Sequence, residues 1–249
     1  MLCVHGSGAH AHWFDFVASG FSADYHVRAI DLRGHGESMW VDPPAYSNER
    51  FAADLAEVVD KLDLHDIVLM GHSMGGLVAL EYAATRAGRV TRLIIVDTRL
   101  VVAEDRVARM RDIGTRRGGG YATREEFVAR FRLLPDGTTA SPEVIRHVAQ
   151  FSGRQVADGS WRHKVDRNVY AMREPMHALV WWNHIKVPAL LIKGERSQRI
   201  TPQIVAEATA FCPRLELAEV ENSDHHVTLD NPAGFTREVK AFLAKRASE

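Results

Sequence analysis

The stretch Gly71-His72-Ser73-Met74-Gly75-Gly76 sets a hydroxyl where it can act as a nucleophile. The apolar run Ile67–Met70 ahead of it reads as a buried strand, and Leu77–Ala84 behind it reads as a helix. A serine at a sharp turn between strand and helix is the context that gives a G-x-S-x-G pattern chemical meaning. The glycines serve that turn. Its apex residue tends to be strained, and its neighbours must lack bulk so that the backbones can pass closely. Met74 begins the helix, so its backbone N–H is free and points toward the serine hydroxyl. A second small loop, His5-Gly6-Ser7-Gly8-Ala9, follows the short apolar run Met1–Val4 and leaves backbone N–H groups unpaired. Serine alone is a weak nucleophile: it needs a base, and the base needs an acid to orient it.

The elements that must position these groups alternate along the chain. Val27–Ile30 is a strand that ends in Asp31-Leu32-Arg33-Gly34-His35-Gly36-Glu37-Ser38. The spacing of Phe51, Leu55, Val58, Val59 and Leu62 predicts a helix over 47–63, with Ser47 or Asn48 as its N-cap. Strands follow at Ile67–Met70, at Arg92–Val96 (closing on Asp97), at Pro188–Ile192 and at Leu215–Val220, and a last helix starts near Pro232. Strands alternating with helices argue for a mostly parallel sheet covered on both faces. From about 100 to 180 no strand run appears. Helical patterns at Val101–Asp112, Arg124–Leu133 and Pro142–Phe151 are broken at Gly118–Gly120 and Pro135–Gly137. Residues 1–99 and 183–249 therefore read as the core, and 100–182 as a helical lid inserted above the sheet's carboxyl edge.

At 249 residues the chain is long enough for one sizeable core. A formal charge of −1 gives no global basic field for nucleic acid or anionic lipid. The two cysteines, Cys3 and Cys212, make neither a disulfide framework nor a metal-type spacing. No apolar run approaches the ~20 residues of a membrane span, and no basic-then-apolar leader opens the chain. A cytoplasmic protein is expected, with no nucleic-acid and no membrane partner.

In this order the pieces resemble the α/β-hydrolase fold over almost the whole chain. His5-Gly6 is similar to that family's H-G oxyanion loop, Asp31–Ser38 to its D-x-R-G-x-G-x-S segment, and Gly71–Gly76 to its nucleophile elbow. His225, followed by Asp230 and Pro232, is similar to its late H-x4-[DE]-x-P signature. The resemblance implies Ser73 as nucleophile, His225 as base in preference to the adjacent His226, and the N–H groups of Ser7 and Met74 as the oxyanion hole. Two departures stand out. The family usually begins with two further strands, absent here, which leaves the strand at 27–30 at or near an edge. A short start or a partner over that edge would account for this. The acid usually follows the penultimate strand, where this chain has Gly194-Glu195-Arg196-Ser197-Gln198. Certain lactonases and the dehalogenases carry it instead after the strand that follows the elbow helix. Asp97 stands there, 24 positions beyond Ser73. Asp97 is the expected acid, with Glu195 and then Asp224 as alternatives; as a plain structural residue Asp97 would cap the next turn with Thr98.

The resemblance implies a serine hydrolase acting on a small, largely apolar carboxylic ester or lactone. A carbon–carbon bond hydrolase acting next to a ketone and a ligand-binding member with little turnover are the rival readings. A serine nucleophile argues against dehalogenase and epoxide-hydrolase chemistry, which in this family uses an aspartate at that place. No metal or organic cofactor is called for, and no clustered ligand set suggests one. The partner is thus a small molecule, and the exposed edge or the lid are the surfaces through which a homodimer would form. His5, His35 and His72 read as loop-shaping residues; His10, His12 and Trp13 are as well explained by packing as by a pocket. The basic run Arg106, Arg109, Arg111, Arg116 and Arg117 reads as a solvated helix face. Trp161, Tyr170, Met172, Met176, Trp181 and Trp182 wall a pocket or form the lid's own core.

Overall fold

Apolar runs without alternation need cover on both faces, and the central strands of this chain carry such runs at Ile67–Met70, Leu93–Val96 and Ala189–Ile192. The structure, a computed structural model, describes residues 1–116 and 118–245; Arg117 and residues 246–249, the end of the expected second core segment, lie outside the described residues. Six strands form one sheet: β1 (Leu2–Val4), β2 (Arg28–Ile30), β3 (Ile67–His72), β4 (Val90–Val96), β5 (Ala189–Gly194) and β6 (Leu215–Val220). Their order is β6-β5-β4-β3-β1-β2, and every pairing is parallel. The short strand at 28–30 lies at the sheet's edge, as its position in the sequence predicts.

The pleat sorts successive side chains to opposite faces. Leu69, Leu93, Ile95 and Leu191 join one core cluster, while Met70, Ile94, Val96 and Ile192 join the other. The helices that cover the two faces and the insertion are, in order, α1 (Asp15–Ala18), α2 (Asn48–Lys61), α3 (Met74–Thr85), α4 (Glu104–Thr115), α5 (Arg124–Arg130), α6 (Pro142–Ser152), α7 (Asn168–Ala171), α8 (Pro202–Phe211), α9 (Val227–Asp230) and α10 (Pro232–Leu243). Phe51, Leu55 and Val59 of α2 and most of α3 pack on the first face; Val17 of α1 and Phe235, Val239 and Phe242 of α10 pack on the second. Ser47 caps α2 by accepting from the Arg50 N–H. Leu62, placed on the buried face by periodicity, is 49% exposed because the helix ends at Lys61 and Leu62 turns away as its C-cap.

The segment between β4 and β5 is less purely helical than its sequence predicts. Two antiparallel ribbons run through it, one pairing Val101–Val102 with Met176–His177 and the other Gly153–Gln155 with Trp161–His163. Strands of two or three residues are too short for alternation to announce them. α4 starts at Glu104, not 101, and α5 stops at Arg130, short of Leu133. The segment is stitched to the core on two sides. Gly36 N–H donates to Lys164 O (2.9 Å), Asp166 N–H to Gly34 O (2.7 Å) and the Tyr46 hydroxyl to Asp166 Oδ2 (2.5 Å). On the other side the Thr139 N–H donates to Asp230 Oδ1 at 3.0 Å. Trp182 is fully buried within the first core cluster and Trp181 packs against it. No helix among the described residues is long and apolar enough to cross a membrane.

The elbow glycines make a stability prediction. A Cβ on Gly75 would lie 2.3 Å from Val4 O and 2.4 Å from His5 O, whereas one on Gly88 meets nothing within 4 Å. Gly75→Ala is expected to lower the thermal midpoint by ~5 °C or more, and Gly88→Ala to leave it within about a degree. Equal midpoints in a melting experiment would remove the crowding argument.

Candidate active site

Ser73 joins β3 to α3 at φ 54° and ψ −118°, a left-handed conformation that a residue with a Cβ rarely adopts. Its backbone is held from both ends: the N–H donates to Val96 O at 2.9 Å, and the carbonyl accepts from Gly76 N at 3.0 Å and Thr98 Oγ1 at 3.1 Å. A Cβ on Gly71 would meet Gly75 O at 2.3 Å, so helix and strand backbones touch, and the serine is left at the apex.

The structure brings Ser73, His225 and Asp97 together. Ser73 Oγ lies 3.0 Å from His225 Nε2, and His225 Nδ1 lies 2.7 Å from Asp97 Oδ2. A carboxylate only accepts, so Nδ1 carries the hydrogen and Nε2 is left to accept from the serine hydroxyl. Asp97 is fully buried at φ 41°, with its N–H on Ile192 O at 2.7 Å. Glu195, the first alternative for the acid, is exposed and accepts instead from the Asn222 N–H at 2.8 Å. Asp224, the second, faces Arg199 at 3.7 Å. Sequence reasoning missed Ser197. It occupies the slot where the resemblance places the usual acid, and its hydroxyl donates to Asp97 Oδ2 at 2.8 Å. Its spacing, three residues after Gly194, was the available signal.

Burial pushes the His225 imidazole well below the ordinary histidine pKa, and the nearby cations Arg199, Arg106 and Arg99 act the same way. Burial raises Asp97, opposed by the Ser197 hydrogen bond and by Arg199, whose guanidinium stands 3.8 Å from Oδ2. His72 donates from Nε2 to the His225 carbonyl at 2.8 Å and so fixes the backbone of the loop that carries the imidazole. Asp230 acts on the same loop: its Oδ2 accepts from the Asp224 N–H at 2.8 Å. His226 turns elsewhere, to Pro135 O at 3.0 Å.

Ser7 and Met74 sit at the ends of β1 and β3. A Cβ on Gly6 would come 3.0 Å from Ser73 Cβ, which sets how closely the first loop passes the serine. The Ser7 N–H has no backbone acceptor among the described residues, and Met74, as the first residue of α3, has no carbonyl a turn behind it within the helix. His5 anchors this loop. Its Nε2 accepts from Leu32 N at 3.0 Å, which puts the hydrogen on Nδ1 for Gly6 O at 2.7 Å. Asp31 ties the same region together by accepting from Ala11 N at 2.7 Å and Glu37 N at 2.8 Å.

Ser73 opens into a cavity of about 1080 Å³. Most of its wall is apolar (Trp13, Leu77, Val102 and Leu133 among others), but Arg99, Arg106 and Arg173 also line it. That departs from the expectation of a purely solvated basic face: Arg109 does pair with Asp105 at the surface, whereas Arg106 faces the cavity. Of the late aromatic and methionine residues, Tyr170 reaches the cavity, Met172 is 39% exposed, and Trp161, Met176, Trp181 and Trp182 pack into the cores. His10 is buried against Ser152 Oγ at 2.8 Å and stays off the wall. No ligand cluster was evident in the sequence, yet the fold gathers His12, Asp15 and His147, with ligand atoms within 4.8 Å of one another. Both imidazoles there hydrogen-bond to Asp15 Oδ2.

A comparison with protein families matches residues 1–238 to the alpha/beta hydrolase family. An esterase of Mycobacterium tuberculosis is 27% identical over 257 residues, covering 99% of this chain and 83% of that protein. An (E)-2-((N-methylformamido)methylene)succinate hydrolase of Acinetobacter baylyi is 24% identical, covering 98% and 89%. The crystal structure of an E-2-(acetamidomethylene)succinate hydrolase superposes with a TM-score of 0.86 at 21% identity, covering 98% of this chain and 91% of that one, a likeness of fold. With the family match spanning nearly its whole length, the chain belongs to the alpha/beta hydrolase family.

Proposed function

We infer that the protein is a serine hydrolase that cleaves small carboxylic esters or lactones through an acyl-enzyme on Ser73. The observation that carries the reading is the continuous path from Ser73 Oγ through the His225 imidazole to Asp97, with steps of 3.0 and 2.7 Å, on the wall of a cavity. Ser73 Oγ attacks the carbonyl carbon as Nε2 takes its proton. The oxyanion accepts from the N–H groups of Ser7 and Met74, each commonly worth ~3–4 kcal/mol. Nε2 then protonates the leaving alcohol, and water repeats the sequence to free the acid. Asp97 keeps Nδ1 protonated, and Ser197 holds the carboxylate in place.

The M. tuberculosis relative and a relative in Escherichia coli bear the name esterase, which supports ester cleavage. Residues 100–182 serve in this reading as the lid: they contribute Val102, Arg106, Leu133 and Tyr170 to the cavity and so favour a small, enclosed substrate over a polymer. The same three residues also suit hydrolysis of a carbon–carbon bond beside a ketone, and the A. baylyi relative named as a hydrolase of a substituted methylenesuccinate keeps substrates other than plain esters in view.

Steady-state hydrolysis of short-chain ethyl esters and a simple lactone tests the assignment. Ser73→Ala and Asp97→Asn should each lower kcat by on the order of 10³–10⁴, with Glu195→Gln within about threefold of the parent. Normal rates in Asp97→Asn with loss in Glu195→Gln would move the acid to Glu195. The acid limb of kcat/KM should lie below the ordinary histidine value of about 6.5, because the imidazole must be neutral to act as base. Arg199→Gln removes a cation that disfavours the imidazolium, so the limb should move to higher pH; an unmoved limb would remove Arg199 from the account.

A further inference from the structure

Among the described residues, Arg173 is a cation buried without an anion. It is 6% exposed, and its Nε is sealed from solvent with no hydrogen-bond partner among those residues. Burial pulls its pKa down, and no carboxylate among the described residues offsets that. Arginines that are more exposed are better matched: Arg33 pairs with Asp54, Arg89 with Asp63 and Arg162 with Asp158. A lone buried guanidinium is costly, and the cost is met where a bound anion completes the site.

The position of Arg173 says which anion. Its backbone is pinned, with the N–H on Tyr170 O at 3.3 Å and the carbonyl accepting from Arg111 Nε at 2.9 Å. Tyr170 in turn presses its hydroxyl onto the Ser7–Gly8 loop, where a Cβ on Gly8 would meet it at 2.2 Å. Arg173 therefore stands on the cavity wall on the side of the loop that serves Ser73. Its terminal nitrogens make no hydrogen bond among the described residues, so the end of the fork is open to a planar, two-oxygen acceptor. Nothing on the wall competes for it. The one carboxylate there among the described residues, Asp166, accepts from Tyr46 and Asn168. Arg99 and Arg106 are likewise half-buried on the wall without ion-pair partners among the described residues, on the His225 side.

We propose that the substrate of this cavity carries a free carboxylate, bound by Arg173, in addition to the carbonyl that Ser73 attacks. The apolar wall takes the hydrocarbon between them, and Arg99 and Arg106 favour negative charge in the cavity as a whole. The reaction rests on the hydrolase reading; the carboxylate site does not. It amends the expectation of a largely apolar substrate.

Two measurements test the proposal. In the first, kcat/KM is compared between the monoethyl esters of succinate, glutarate and adipate and the ethyl esters of butanoate, pentanoate and hexanoate, which replace the carboxylate by a methyl group. The parent should favour at least one anionic ester over its neutral counterpart tenfold or more. Arg173→Met should cut that ratio at least tenfold whatever the absolute rates, and Arg173→Lys should retain part of it. In the second, calorimetry follows glutarate binding to the parent and to Arg173→Met, with inorganic phosphate as the competing anion. Glutarate should bind the parent, more tightly than phosphate, and at least tenfold more weakly to the variant. A preference for neutral esters, a ratio unchanged in Arg173→Met, or tighter binding of phosphate would overturn the proposal. If no ester turns over but glutarate binds in an Arg173-dependent way, the carboxylate site stands and the hydrolase reading falls. If Arg173→Met does not fold, the parent's preference and its partial retention in Arg173→Lys decide the matter.

Discussion

At the head of β3 the chain passes from strand to helix through a single residue, and that residue must stay left-handed while bearing a side chain. Ser73 at φ 54° costs of order 1–3 kcal/mol in backbone strain, and it persists because its N–H and carbonyl are both fixed to neighbouring backbone. The turn also demands that α3 start in contact with β1 and β3, which Gly71 and Gly75 permit. The other groups of the site are defined by their distance from this point. β1 delivers Ser7 beside the serine, and β4, hydrogen-bonded next to β3, delivers Asp97 one strand away.

Placing the carboxylate after β4 changes what the neighbouring loop has to do. His72 pairs in register with Val96, so Ser73 and Asp97 leave adjacent strands at the same level. The imidazole bridges two groups whose spacing is set by the sheet itself. The loop after β5 then contributes a hydroxyl, Ser197, that steadies Asp97, and a cation, Arg199, that stands between Asp97 and Asp224. In the proposed mechanism the acid is thus oriented by one strand end and supported by the next.

The parts of the fold that were legible in the sequence are those with long apolar runs or glycine-dependent turns. β3, β4 and the Ser73 turn belong to this class, and so does the proximity of Ser73, His225 and Asp97, because ordered motifs on a parallel sheet all point to its carboxyl edge. Ser197 was less visible: a serine in a polar loop announces nothing until the carboxylate it touches is in place. Arg173 was invisible for a different reason. Its place is set by contacts with α4 and α7, through Arg111 and Tyr170, and charge runs in sequence carry no record of which member faces inward. The two short ribbons escaped because two or three residues give no period.

Asp230 holds two things at once: the loop that carries His225, through the Asp224 N–H, and the turn at Thr138–Ala140 of the insertion. One carboxylate therefore couples the loop that carries the His225 imidazole to the insertion, a few residues past the Phe131–Pro135 stretch that lines the cavity. That turn cannot shift without loosening the support of the imidazole, and the bonds between Gly34 and Gly36 and the 164–166 stretch hold the opposite side of the insertion. The helix α4, whose Arg106 and Met110 line the cavity, is tied instead to the 167–173 stretch, through Arg111 Nε to Arg173 O and Arg167 Nε to Gly114 O, so the first helix of the insertion and its turn at Thr138–Ala140 are held by separate sets of bonds.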